Sequence, residues 1–234
     1  MTAKAGWGVL LWPACAVLAL GVGLPLASAA NLPLTSSALF VQHIAASPVI
    51  PGYLVQDDFG GNGPLDGRPA DVGGTWSDSS GLFQVDSGSV GRQGNHKAEA
   101  AAWIDPGTER VRIAATIETN GKYEMGLMGM LEPTFGNHIR LAWSGNQSGV
   151  LELILVNGTN ETVLGTSGSI GGQVSELSLT IDSPVVTASA GGVDLSVTLT
   201  PAQVALLPGT GTGIWLEQFG SNDSFTGFTV EALP

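Results

Sequence analysis

The residues best equipped for chemistry are polar side chains set alternately with apolar ones. In "RVRIAATIE", Arg112 and Glu118 fall opposite Val111, Ile113, Ala115 and Ile117. Lys122 and Glu124 follow on the next run, His138 and Arg140 lie opposite Ile139, Leu141 and Trp143, and Glu152 lies opposite Leu151 and Leu153. If these runs are neighbouring strands, their polar residues make one mixed-charge face able to hydrogen-bond sugar hydroxyls. The alternative is an ordinary solvated sheet face. No Gly-x-Ser-x-Gly elbow and no His-Glu-x-x-His zinc motif occurs. His43, His96 and His138 are dispersed, which favours surface or loop positions over a shared metal.

The elements that must position these residues are strands. Alternation with period two recurs in "VLELILV", "ELSLTI" and "VDLSVTL" and marks strands with one face in a core. Asn120–Gly121, Asn157–Gly158 and Gly191–Gly192 are hairpin turn signals. Roughly a dozen strands are expected, with no long helix. Only Thr200–Leu207 reads as a helical turn, with Thr200 as N-cap and Pro201 at the first helical position. The chain therefore reads as an all-β antiparallel sandwich over residues 53–234. Within it, "YLVQDDF" is a first strand, the Gly- and Pro-rich stretch after it is a long loop, and Trp76 returns to the core. Trp103, Trp143 and Trp215 also sit in apolar strand patterns and are expected to be core residues.

Ahead of that domain, residues 1–30 read as a secretory signal peptide: Lys4, a long apolar stretch, then "ASAA". An uncleaved membrane anchor is the competing reading, since the stretch approaches the roughly 20 residues that span a bilayer. Residues 31–52 form a linker or an N-terminal strand. Cleavage would remove the single cysteine, Cys15, and shift the formal charge from −12 to −13 by loss of Lys4. A cysteine-free domain of this length can still bury a sizeable core. Its acidity argues against nucleic acid and anionic membrane surfaces as partners, leaving the membrane only to the signal segment if uncleaved. The expected location is extracellular or on the cell surface. Asn146, Asn157, Asn160 and Asn222 head Asn-x-Ser/Thr sequons, relevant only in a glycosylating host.

The order of motifs is more specific than the composition. An Asp-Asp-Phe strand, a Leu-x-Gly-Arg loop, Trp76 after glycine, and "GLFQVDSG" are followed by "GLMGMLEPTFGNHIRLAW", two hairpins, and the closing "GIWLEQFGSNDSFTGFTVEAL". This order resembles the concanavalin A-like lectin/glucanase superfamily, of LamG-type jelly-roll domains, over nearly all of residues 53–234. The resemblance implies a structural calcium between the first and last strands, at Asp57 and Asp58, although Gly227 stands where such domains often carry an acidic residue. A solvated strand end is the alternative there. Glucan-cleaving relatives carry Glu-x-Asp-x-x-Glu on one strand, and this chain lacks it: Glu152 stands alone, and Glu99 and Asp105 are too far apart. The resemblance thus implies a non-catalytic module that binds polysaccharide or cell-surface glycan, and the alternation of the strands offers Arg112, Glu124, His138, Arg140 and Glu152 as its candidate ligand contacts. A structural or adhesive protein is the alternative, ahead of an atypical glycan hydrolase.

Overall fold

The computed structural model describes residues 52–234 except 93–98, 120–123, 145–148, 172–173 and 218–222. The expected signal peptide, the linker before Gly52, and Lys122, His43, His96 and the Asn120–Gly121 turn lie outside the described residues. In chain order the strands are β1 (Tyr53–Asp57), β2 (Asn62–Pro64), β3 (Ser77–Asp78), β4 (Phe83–Asp86), β5 (Ser89–Arg92), β6 (Ala100–Ile104), β7 (Val111–Glu118) and β8 (Glu124–Leu131). They continue as β9 (Asn137–Ser144), β10 (Val150–Asn157), β11 (Asn160–Thr166), β12 (Glu176–Asp182), β13 (Val185–Ala190), β14 (Val193–Thr198), β15 (Gly211–Leu216) and β16 (Ser224–Ala232). Among the described residues the one helix, α1 (Pro201–Val204), has Thr200 as N-cap and Pro201 at its first position, as the sequence predicts, and adds a reciprocal capping box with Gln203.

Two antiparallel sheets form a sandwich. One runs β14-β13-β12-β7-β16-β5-β4-β2 with β1 added to β16, and the other runs β11-β10-β9-β8-β15-β6-β3. Alternation sends Ile113 and Ala115 of β7, Leu177 and Leu179 of β12, Leu127 of β8, Leu141 of β9 and Leu153 of β10 into the shared interior, where all are buried. The hairpins at Asn157–Gly158 and Gly191–Gly192 close with positive φ at Gly158, Gly191 and Gly192, the conformation that favours glycine.

The Gly- and Pro-rich loop after β1 is pinned at its two ends by one carboxylate. Asp57 accepts the Phe59 N–H through Oδ1 (2.8 Å) and the Trp76 indole N–H through Oδ2 (2.7 Å). Trp76 is 1% exposed and sits between Phe59 and Phe228, with ring centroids 5.9 and 5.0 Å away. Gly73 lets the loop pass against β1: its φ is +100°, and an added Cβ would lie 2.6 Å from the Leu54 carbonyl oxygen.

Candidate functional site

The structure brings four of the five expected contact residues to one face and sends the fifth elsewhere. Strands β8, β9 and β10 are neighbours, so Glu124, His138, Arg140 and Glu152 share the outward face of the seven-stranded sheet. Arg112 does not join them. Its strand, β7, pairs with β12 and β16 in the other sheet. The periodicity was sound, but alternation gives a residue's face within its own sheet and says nothing about which sheet that is.

On the seven-stranded face Arg140 is the centre of a bonded cluster. The Arg140 side chain is only 5% exposed, and it donates from Nη1 to Glu99 (2.9 Å) and from Nη2 to Glu161 (2.6 Å). Its guanidinium carbon lies 4.1 Å from the Trp215 ring centroid, a cation–π contact, while the Trp215 indole N–H donates to Glu99 as well. Apolar neighbours on the same face, Met128, Ala142, Ile154 and Val156, are buried with Trp215 in a cluster separate from the main core.

Beside this cluster is an aromatic row. The β8–β9 loop holds Phe135 at φ +57°, stacked on Trp103 at 5.4 Å between centroids and 24° between planes. Phe135 also lies 5.2 Å from the His138 ring. His138 is 2% exposed, and neither ring nitrogen has a hydrogen-bond partner among the described residues. Burial, assisted by the Arg140 charge, lowers its pKa to about 3, so the imidazole is neutral.

Carboxylates crowd the other end of the face. Glu124 is raised to about 7 by burial, by its hydrogen bond with Glu217, and by the charges of Glu217 and Glu152, with Arg140 opposing. At neutral pH it is therefore partly protonated and can donate as well as accept.

Sequence reasoning missed Glu99, Trp103, Phe135, Glu161, Trp215 and Glu217. Trp103 carried a signal: it alternates with the buried Ala102 and Ile104, which puts it on the opposite face with Ala101. The continuous apolar run "AAAWI" hid that phase. Trp76 and Trp143 are core residues as expected, whereas Trp103 and Trp215 face outward.

The expected calcium residues are joined by a third. Oxygens of Asp57, Asp58 and Asp71 lie within 4.8 Å of one another, an all-oxygen donor set of the kind that suits calcium. Each carboxylate also has a structural role: Asp57 as above, Asp58 accepting from the Gly60 N–H (2.9 Å), and Asp71 from the Asp58 N–H (3.0 Å). Burial raises the pKa of Asp57, so a cation nearby would offset the cost of its ionisation.

No family model and no curated protein matches this chain. Solved structures share its fold at very low identity. The GH43 protein BlXynB of Bacillus licheniformis (K247S mutant) aligns with a TM-score of 0.55 at 13% identity, over 76% of this chain and 39% of that one. This chain thus spans well under half of that protein. The CBM2 module of the evolved Dit of Lactobacillus casei BL23 phage J-1 gives 0.51 at 13%, over 77% and 95%. SCLam, a non-specific endo-β-1,3(4)-glucanase of family GH16, gives 0.52 at 8%, over 76% and 89%. The likeness is one of fold: the chain is an antiparallel jelly-roll sandwich of the architecture to which its motif order pointed.

Proposed function

We propose that the chain is a secreted, non-catalytic module that recognises extracellular polysaccharide or cell-surface glycan through the outward face of its seven-stranded sheet. The observation that carries this reading is the stacked Trp103–Phe135 pair beside the Arg140, Glu99 and Glu161 cluster. Aromatic rings offer an apolar surface to a pyranose, and the adjoining charged groups can bond its hydroxyls. Secretion rests on the apolar leader and its "ASAA" cleavage signal. The absence of catalysis rests on the missing Glu-x-Asp-x-x-Glu strand. Asp57, Asp58 and Asp71 are the residues that would hold a structural calcium in this reading.

A panel of immobilised glycans, with calcium and with a chelator, tests all of this. Saturable binding to one glycan class, weakened at least about tenfold by Trp103→Ala and by Arg140→Ala, is the expected result. Release of new reducing ends would overturn the non-catalytic assignment. A folded protein that binds no glycan would favour a structural or adhesive surface protein instead. Calcium is expected to raise the melting temperature, and Asp71→Asn to abolish the rise; no rise in the unaltered protein would remove calcium from the account.

A further inference from the structure

Beside the aromatic row lies a cavity of about 70 Å³, where β6 and β8 end on either side of the start of β15. It is lined by Trp103, Asp105, Leu131, Pro133, Thr210 and Gly211. Three local features make it. Gly211 brings no side chain to its pairing with Leu131. A bulge in β8 at Met130, with φ +54°, sends Met130 into the main core while Leu131, the next residue, borders the cavity. Trp103 and Asp105 stand two residues apart, so the alternation that turns the indole outward brings the carboxylate to the same side.

Size and chemistry together say what fits. The volume is about that of two water molecules and well below the roughly 300 Å³ of a site that encloses a whole small ligand. The cavity therefore takes one substituent of a ring held on Trp103 and Phe135, and not the ring itself. Trp103, Leu131 and Pro133 give it apolar walls. Asp105 gives it a fixed acceptor: Oδ1 accepts from the Thr210 hydroxyl (2.6 Å) and from the Gly107 N–H (2.8 Å). The second oxygen, Oδ2, accepts from no other described residue. A substituent carrying one donor and one methyl meets both demands, and an acetamido group is such a substituent. A hydroxyl lacks the methyl, an O-acetyl ester lacks the donor, and a carboxylate is repelled by Asp105.

We propose that this cavity is a subsite for the acetamido group of a 2-acetamido-2-deoxy sugar, with its N–H donated to Asp105 Oδ2 and its methyl packed against Trp103 and Leu131. The subsite presupposes the glycan reading of the same sheet face, and it names the class of sugar which that face takes.

Titrating the purified protein with the methyl glycosides of N-acetylglucosamine, N-acetylgalactosamine, glucosamine, glucose and galactose, read by NMR shifts of the Thr210 and Gly211 amides, tests it. An N-acetyl sugar is expected to shift both amides and to bind at least about fivefold more tightly than its parent hexose, the gain from one hydrogen bond and one buried methyl. Asp105→Ala, at an exposed position, should erase that preference, and Thr210→Leu should do the same by filling the cavity. Trp103→Ala should instead weaken all the sugars together. Equal binding of the N-acetyl sugars and their parent hexoses would overturn the subsite and leave the glycan reading standing. So would a preference that survives Asp105→Ala. Glucosamine binding as tightly as N-acetylglucosamine would overturn it too, by making Asp105 a simple cation contact. Binding of no sugar at all would overturn both.

Discussion

The two outward faces of this sandwich are built on opposite principles. On the nine-stranded sheet, β7 alternates cleanly between buried and outward residues, and the outward ones are small or solvated. On the seven-stranded sheet, β8 and β9 are buried almost throughout, on both faces. There the outward charges survive burial by pairing: Arg140 sits under two carboxylates and against Trp215, while Arg112 stands loosely between two exposed ones. The same residue type is thus a fixed structural element on one face and an available group on the other. Desolvation makes the difference, because a buried guanidinium left alone costs several kcal/mol and an exposed one costs almost nothing.

The comparison can be broken most directly by acid. His138 has its pKa lowered from 6.5 to about 3, so the unfolded chain binds a proton that the folded chain refuses. Its contribution is present above about pH 6.5 and is lost as pH falls towards 3, by on the order of 4 kcal/mol. Urea unfolding across that range should show His138→Phe less acid-sensitive than the unaltered protein by that amount. Next in size, replacing both Glu99 and Glu161 by alanine leaves Arg140 buried without the two carboxylates it is bonded to and should cost about 3 kcal/mol. Denaturant midpoints at neutral pH measure it.

Glu124 titrates in the other sense. Its folded pKa of about 7 exceeds the ordinary 4.5, so its contribution is complete below about pH 4.5 and declines as pH rises to 7. After discounting for its partial exposure the decline is about 1 kcal/mol, and Glu124→Gln should remove it from the pH–stability curve. The smallest effect belongs to the nine-stranded face. Replacing both Glu176 and Glu231 by glutamine should change stability by less than about 1 kcal/mol, and a loss near that of the Glu99/Glu161 pair would erase the distinction between the faces.

Much of this was legible in the chain itself. Period-two alternation named the strands, Asn-Gly and Gly-Gly named two hairpins, Thr200–Pro201 named the helical turn, and the route through Asp57 to Trp76 named the loop that returns to the core. These are local signals, fixed by backbone geometry within a few residues. That Glu124, His138, Arg140 and Glu152 point outward from their strands was also legible, because alternation sets them opposite apolar residues. What the sequence could not express was adjacency. Arg140 meets Glu99 and Glu161 across 41 and 21 residues, and Trp215 meets Glu99 across 116. Whether Arg112 shares a face with Arg140 depends on β7 pairing with β12 and β16 rather than with β8. Alternation determines which way a side chain points from its own sheet. Strand pairing, decided by the burial of the whole core, determines which sheet that is and which distant carboxylates wait there.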